Sequence, residues 1–441
     1  MNSGPIVPSK AALNLLSAHF PNSCMVPNLR EISWLGVSPE LLELTLPLVV
    51  SPVLTNFRLG INCRHHDTID ASQLVPALKA LAPAYNSLAL IEFCDPTAHD
   101  PRVVDAASTL LLKCNPDKLR YFRVRSTLSE EAFLYAAQLP TLEVFFATMD
   151  ATDLGAPLPT SMFPSLESLD VQATDARPPL LQTIAHIQSK AFSHLQLDFP
   201  AAILGTFLPK TLECLQRRSL HQTLSTLTIY PEGRFDLDKA FVRPLLFLKE
   251  LSILDIGLIC TPPCPYLLSD EDLDELVKAL PKLSSLNFGH FPCSHPANTT
   301  IKTLVSIAKH CKHLTEFVIH TNVEAIANEV SQRENWGNDL APQDPFSPFV
   351  GCPVRKIIFG PCFIPDEQSA QIFAMVLLRL FPHLDAIMPS RDEVQLFWPT
   401  VNRLITTYRS VGATIADVGK FMSSLPVCET HFHAAADGVG G

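Results

Sequence analysis

Two pairs of potential metal ligands are the residues with the clearest chemistry, Cys260 with Cys264 and Cys293 with His295. Zinc binds four thiolate or imidazole ligands as a tetrahedron, and proteins often supply them from two short arms of chain. In the first arm three residues separate the cysteines, which is within the tolerated range but is not the usual spacing. Zinc stays an open alternative here, and we favour ordinary loop cysteines and predict no metal site.

Other cysteine and histidine clusters lack an evident second arm, so turn or strand-approach residues are their simplest interpretation. These clusters are Cys63/His65/His66, His310/Cys311/His313 and Cys428/His431/His433. The amino terminus has no basic head followed by an apolar segment and a cleavage site, so we expect no secretory signal. We therefore place the protein in the cytoplasm or nucleus, where its 12 cysteines are expected to be free thiols.

The short motifs of common catalytic sites are absent from the sequence. It has no Gly-x-Ser-x-Gly, no His-Glu-x-x-His and no Gly-x-x-x-x-Gly-Lys. Its 16 glycines form no rich loop, so we do not expect a fold that cradles a nucleotide phosphate. We therefore predict no catalytic residues, no cofactor and a function that is not enzymatic.

Composition narrows the class of partner. Hydrophobic residues make up 47% of the chain and charged residues 17%, a balance that supplies a continuous core. The net charge of -11 disfavours nucleic acid and anionic membranes as partners, because both are bound through excess Lys and Arg. No apolar run reaches the roughly 18 residues that a membrane span needs.

One apolar pattern recurs along almost the whole chain and must position any functional residue. In Leu166-Glu-Ser-Leu169-Asp-Val171 it reads apolar, two residues, apolar, one residue, apolar. The repeats are about 30 residues apart, a spacing typical of solenoids. The thirteen copies begin at Leu29, Leu54, Leu88, Leu119, Leu142, Leu166, Phe192, Leu224, Leu248, Leu283, Leu314, Val354 and Leu384.

Segments between these motifs have apolar residues three and four apart, which predicts helices with one buried stripe. The predicted helices are 39–49, 72–81, 102–113, 129–138, 179–189, 238–247, 271–280, 300–310 and 367–381. Proline often follows a helix and precedes a strand motif, as Pro140 and Pro164 do, because it ends helices and favours extended backbone. The pattern predicts an α/β solenoid with a parallel concave sheet, outer helices and about 13 repeats.

Three parts follow from where the pattern begins and ends. Residues 1–26 are expected to form an incomplete repeat or cap, and residues 27–389 the solenoid. Turn-forming residues mark 322–353 as an inserted loop. Residues 390–441 are expected to be a helical cap with a flexible tail, with helices at 394–408 and 414–422.

The alternation of side chains along a strand identifies the exposed face of this sheet. The fourth and sixth motif positions face the core, while the third, fifth and seventh face outward. In the ninth motif this assigns Leu251 and Ile253 to the core, and Glu250 and Ser252 to the surface. Outward residues of neighbouring strands form a candidate partner-binding surface: Arg58, Glu92, Tyr121, Arg123, Arg125, Phe146, Asp170 and His194.

Arginine and aromatic residues are enriched at interface hot spots, so we centre this surface on Tyr121, Arg123, Arg125 and Phe146. The planar donors of arginine suit carboxylate or phosphate, which predicts an acidic or phosphorylated protein segment as partner. The alternative is that Glu92 neutralises the arginines on a solvated face. A second docking surface is offered by Trp336, Phe346 and Phe349 of the inserted loop.

The recurring strand motif resembles that of the leucine-rich-repeat family. Cys311-Lys-His-Leu314-Thr-Glu-Phe317-Val-Ile319 and Cys352-Pro-Val354-Arg-Lys-Ile357-Ile-Phe359 are similar to the cysteine-containing kind found in F-box proteins. Phe163-Pro-Ser-Leu166-Glu-Ser-Leu169 resembles the form common in fungal F-box-like proteins. The resemblance covers about residues 27–389 and implies a horseshoe fold. The helical F-box itself has no match in residues 1–28, so adaptor binding is expected only if an F-box lies upstream.

The sequence as a whole favours a non-catalytic protein-interaction scaffold. The resemblance implies a substrate-recognition module related to the F-box proteins of ubiquitin ligases. The alternative is a leucine-rich-repeat enzyme or enzyme regulator, such as a GTPase-activating protein.

Overall fold

The structure is a computed structural model of the chain. The residues that it describes are 15–16, 18–19, 24–35, 39–60, 71–94, 100–149, 158–173, 178–257, 266–289, 298–322, 325–326, 328–329, 352–359, 364, 366–389 and 398–410.

Within the described residues, thirteen parallel strands form one sheet in which each strand pairs with its neighbours in chain order. They are β1 (Glu31–Leu35), β2 (Asn56–Gly60), β3 (Leu90–Cys94), β4 (Tyr121–Thr127), β5 (Val144–Met149), β6 (Ser168–Ala173), β7 (His194–Pro200), β8 (Thr226–Glu232), β9 (Ile253–Ile256), β10 (Ser285–Asn287), β11 (Glu316–Ile319), β12 (Lys356–Phe359) and β13 (Ala386–Pro389). In this order β1 and β13 are the two outer strands, so the sheet does not close. The predicted α/β horseshoe solenoid is confirmed.

The described residues also contain eleven α-helices, placed between the strands and after the last one. They are α1 (Pro39–Val49), α2 (Ala71–Ala80), α3 (Pro101–Lys113), α4 (Glu130–Gln138), α5 (Pro178–His186), α6 (Ala201–Arg217), α7 (Lys239–Val242), α8 (Asp270–Ala279), α9 (Ile301–His310), α10 (Glu367–Leu380) and α11 (Trp398–Ser410). None of them combines the length and the apolarity needed to cross a membrane.

The core lies between the sheet and the helices, and the strand register aligns its residues in rows. Ile91, Phe122, Phe145, Leu169 and Leu195 face one another across five strands. None of the five is more than 1% exposed. Each repeat thus buries its apolar face against the next, which a single repeat of this size could not do.

Helix α6 was not predicted, because Gly205 and Pro209 lie inside it. Glycine lowers helix propensity, and proline removes a backbone hydrogen-bond donor. The buried stripe that includes Leu204, Leu208 and Leu212 holds the helix against the sheet in spite of both residues. Tertiary packing therefore overrides local propensity in this repeat.

The register predicted for the ninth strand is wrong by three residues. Leu227 of β8 pairs with Leu254, and Leu254 and Ile256 are buried while Ile253 is 36% exposed. The sequence fits the motif in two overlapping frames, one starting at Leu248 and one at Leu251. Pairing with β8 selects the second frame, so Ile253 and Asp255 replace Glu250 and Ser252 as the outward residues of β9.

The last strand is followed by α11, which begins four residues later and ends two residues later than predicted. Trp398 of α11 is buried and stacks on Phe359, with the ring centroids 5.7 Å apart. Val401 and Ile405 of the same helix are also buried. The helix thus covers apolar residues of the last repeats, while the predicted helix at 414–422 lies outside the described residues.

Candidate partner-binding surface

Five residues of the predicted surface lie in one row on the concave face of the sheet. Arg58, Glu92, Arg123, Phe146 and Asp170 occupy the same motif position, and their Cα atoms pair across β2 to β6. The parallel register brings them together although the first and last are more than a hundred residues apart in the chain. Their role in binding a partner stays a prediction.

Charges alternate along this row. Glu92 lies between Arg58 and Arg123, with nitrogen-to-oxygen distances of 3.8 and 3.7 Å. Arg123 also faces Asp170 at 3.8 Å, and Asp170 in turn faces Nε2 of His194 at 3.7 Å. Arg123 therefore lies between two carboxylates of its own chain, and an acidic partner would compete with both.

Phe146 is buried, although it faces away from the core as predicted. Its exposed fraction is 2%, so it cannot offer a wide apolar surface to a partner. The guanidinium carbon of Arg123 lies 5.6 Å from the ring centroid, a cation–π distance. Side-chain alternation predicts the face to which Phe146 points, but it does not predict whether neighbouring side chains bury the ring. For this reason the sequence led us to expect an exposed aromatic residue.

Burial also governs the ionisation of Asp170 and His194. It raises the pKa of the Asp170 carboxyl, while the charges of His194 and Arg123 oppose that effect. It lowers the pKa of His194, and Asp170 opposes that change. Both shifts favour the neutral form, because a low-dielectric site disfavours charge that is not fully compensated.

Arg125 is separated from this row by an irregularity in β4. Val124 pairs with Ala147 and Thr127 with Thr148, so two residues of β4 have no counterpart in β5. An irregularity of this kind bends a strand and redirects side chains. Arg125 is exposed there, and its charge acts on Asp198 of β7, lowering the pKa of that carboxyl against the effect of burial.

Sequence reasoning missed a second polar group further along the concave face. The Tyr230 hydroxyl donates to Oδ2 of Asp255 at 3.2 Å, and Nδ2 of Asn287 donates to Oδ1 of the same carboxylate at 2.7 Å. Nε2 of Gln172 donates to Oε1 of Glu232 at 3.3 Å. Asp255 was missed because of the register error in β9, and Glu232 because it lies beyond the motif.

This second group lies in a negative environment. Burial and the Glu232 charge raise the pKa of Asp198 to about 6. Burial, followed by the charges and hydrogen bond of neighbouring carboxyl groups, raises the pKa of Tyr230 to about 12. Asp198 could have been predicted from the sequence, because it occupies the outward seventh position of its motif, as Tyr230 does in the next motif.

The structure gives less support to the other candidate sites. The described residues include no cluster of three or more potential metal ligands. The candidate zinc ligands and the second docking surface lie outside the described residues: Cys260, Cys264, Cys293, His295, Trp336, Phe346 and Phe349. Cys311 and Cys352 are buried free thiols, and burial raises their pKa values to about 12 and about 11.

On the outer side, a groove between α8 and α9 is lined mainly by charged residues. Oδ1 of Asp270 accepts from the backbone amides of Thr300 and Thr303, at 2.8 and 3.2 Å. Oδ2 of Asp270 accepts from the Thr300 hydroxyl at 2.6 Å. These bonds satisfy the free amides at the start of α9 from the neighbouring repeat, so the groove has a structural explanation.

No protein-family model and no curated protein matches the sequence. Among solved structures, a chain of the yeast Rad7 and Elc1 complex is 12% identical, with 79% of this chain and 82% of that chain covered and a TM-score of 0.40. A chain of the TLR13–ssRNA13 complex is 14% identical over 60% of this chain and 32% of that chain, with a TM-score of 0.32. A Bacteroides fragilis protein is 12% identical over 65% and 63% of the two chains, with a TM-score of 0.25. Similarities of this size say nothing about function, and the fold assignment depends on the sheet itself.

Proposed function

We propose that this protein is a non-catalytic scaffold that binds a protein partner on the concave face of its sheet. The observation that carries the proposal is the aligned register, which places the outward side chains of successive repeats, many of them polar, in rows on the face of the sheet opposite the core. Thirteen strands spaced about 4.8 Å apart give a face of about 58 Å, long enough for an extended segment or a small domain.

The finer proposal, substrate recognition for a ubiquitin ligase, is supported by the resemblance of the repeats to those of F-box proteins. It requires an adaptor subunit as a second partner. An upstream reading frame that encodes an F-box, followed by isothermal titration of a purified adaptor with the chain that includes it, tests this part separately. Faster GTP hydrolysis by a captured GTPase would instead favour the regulator alternative.

Steric blocks test the concave face without assuming a partner. Peptides selected from a displayed random library on the full chain are measured in solution against Thr226→Trp, which places a bulky ring in the middle of the face. Thr206→Trp, at an exposed position of α6, is the matched control. We expect Thr226→Trp to weaken binding by tenfold or more and Thr206→Trp to leave it unchanged. Equal binding by both variants would refute concave docking.

The predicted acidic or phosphorylated segment belongs to this proposal as one form of the partner. Arg58 and Arg125 are the exposed cations that such a segment would contact first, because among the described residues Arg58 faces only one carboxylate whereas Arg123 lies between two, Glu92 and Asp170. An acidic peptide should therefore lose more affinity with Arg125→Ala than with Arg123→Ala. The reverse order would show that Arg123 releases its own carboxylates on binding.

A further inference from the structure

The concave face is divided by charge. The outward positions of β2 to β4 include Arg58, Arg123 and Arg125 with one carboxylate, Glu92. The outward positions of β6 to β9 contain four carboxylates and, among the described residues, neither lysine nor arginine. The four carboxylates, called here the acidic surface, are Asp170, Asp198, Glu232 and Asp255.

Tyr230 is an exposed aromatic ring in the middle of these carboxylates. Its Cα pairs with that of Asp198, its hydroxyl donates to Asp255, and 39% of the residue is exposed. A Cβ atom on Gly257 would lie 2.3 Å from Cδ1 of Tyr230, so the ring lies directly over this glycine. The Tyr230 ring is thus held in place with a surface open to a partner.

Asp170 provides a separate sign that this part of the face has room for a hydrogen-bond donor, although Arg123 lies within ion-pair distance of it. Its side chain is only 8% exposed, and among the described residues its Oδ1 accepts no hydrogen bond. The Arg123 guanidinium and the His194 ring lie 3.8 and 3.7 Å from this carboxylate, beyond hydrogen-bond distance. A buried carboxylate oxygen without a hydrogen bond is costly, and an added donor would relieve that cost.

Asp198 is similarly placed. None of the described residues donates a hydrogen bond to it. After burial, the Glu232 charge raises its pKa most, and the Arg125 charge only partly opposes that rise. A carboxylate whose pKa is raised by the charge of a second carboxylate gains from a cation placed between the two. Guanidinium groups form paired hydrogen bonds with carboxylates and also stack on aromatic rings, so arginine matches both parts of this surface.

We propose that the acidic surface binds an arginine-bearing basic segment of a protein partner, with a guanidinium group between the Tyr230 ring and the carboxylates of Asp198 and Glu232. This inference rests on the proposed scaffold function and names the class of partner. It differs from the acidic segment expected at the arginines of β2 to β4, since the two ends of the face carry opposite charge.

The test uses a fluorescent peptide of alternating arginine and serine, with the matching glutamate and serine peptide as its opposite. The full chain is compared with the triple variant Asp198→Asn/Glu232→Gln/Asp255→Asn. A matched control, Asp105→Asn/Glu213→Gln/Glu275→Gln, changes the net charge equally at exposed helix positions. We expect the acidic-surface variant to bind the arginine peptide at least tenfold more weakly, and the control variant to change binding less than twofold.

Substitutions of Tyr230 separate the ring from the charge. Tyr230→Phe keeps the aromatic face and should retain most of the affinity. Tyr230→Leu removes that face and should weaken binding severalfold, about the effect of losing one cation–π contact at a partly exposed site. Circular dichroism of each variant shows whether the solenoid remains folded. Equal binding by Phe and Leu variants would exclude the ring from the site.

Any of three results would overturn the inference. The first is that the arginine peptide does not bind, and the second is that the glutamate peptide binds more tightly than the arginine peptide. The third is an equal loss of affinity in the two triple variants, which would indicate an effect of net charge alone. Library-selected peptides that Thr226→Trp blocks but the acidic-surface variant does not would refute this inference while leaving the scaffold function in place. Selected peptides that neither variant affects would refute both.

Discussion

The side-chain amide of Asn402 in α11 takes the place of a neighbouring strand beside Ile387 of β13. Nδ2 of Asn402 donates to the Ile387 carbonyl oxygen at 2.9 Å, and Oδ1 accepts from the Ile387 amide at 3.2 Å. The outermost strand of a sheet otherwise leaves such groups for water or for another chain. One asparagine thus joins the last helix to the edge of the sheet.

Asn402→Ala should destabilise this end of the solenoid by about 1 to 2 kcal/mol, because two hydrogen bonds to the strand edge are lost. Hydrogen exchange in β13 should rise more than exchange in β6. Arg403→Ala, at the next and exposed position of α11, is the control and should leave β13 protected. Unchanged exchange in both variants would mean that α11 does not protect the edge.

The strand register can be predicted where only one apolar frame exists. Leu169, assigned inward from the motif, is 1% exposed, and Asp170, assigned outward, lies on the concave face. At Leu251 two frames overlap, and only pairing with β8 distinguishes them. A choice between overlapping frames depends on a neighbouring strand, so local sequence cannot make it.

Leu169→Ala should lower the free energy of unfolding by about 2 to 5 kcal/mol through lost burial and a residual cavity. Asp170→Ala should change it by about 1 kcal/mol or less, because the substitution also removes a buried carboxylate oxygen that accepts no hydrogen bond. Denaturant unfolding of the two variants provides the comparison. A larger cost at Asp170 would show that its contacts with Arg123 and His194 hold the sheet together.

The candidate site was less predictable than the fold, because burial on the concave face depends on side chains from several strands. Phe146 was expected to be exposed from its motif position alone, yet its exposed fraction is 2%. Asp198 and Tyr230 sit side by side only in the paired strands. Alternation indicates the face on which a residue lies, whereas charge compensation on that face is a property of neighbouring repeats.

Asp198 should make stability depend on pH. Its pKa is raised to about 6 in the folded protein from an ordinary value near 3.8, so between these values the folded state holds more protons than the unfolded state. The stabilising contribution is therefore full below about pH 3.8 and is lost as the pH rises through about 6. Asp198→Asn should remove this pH dependence. The stability of the variant minus that of the wild type should therefore be larger at pH 7 than at pH 4.

Denaturant unfolding at the two pH values tests this, with Asp105→Asn on the exposed face of α3 as the control. Glu232→Gln should reduce the slope, because the Glu232 charge contributes to the raised pKa. A wild-type slope that Asp198→Asn leaves unaltered would assign the dependence to another group.

The contact between Tyr230 and Gly257 gives the last prediction. Cβ of an alanine at 257 would lie 2.3 and 2.7 Å from Cδ1 and Cε1 of the ring, so Gly257→Ala must displace Tyr230 and its hydrogen bond to Asp255. We expect a loss of about 1 kcal/mol of stability, the usual contribution of one hydrogen bond.

Gly205→Ala is the informative control, because a Cβ atom at this position of α6 meets nothing within 4 Å. Alanine is a better helix former than glycine, so this variant should gain about 0.5 to 1 kcal/mol. The same chemical change should thus have opposite signs at the two sites. The arginine peptide should also bind Gly257→Ala more weakly and Gly205→Ala normally, since only the first moves the Tyr230 ring. A stabilising Gly257→Ala with normal peptide binding would show that the ring does not lie over this glycine.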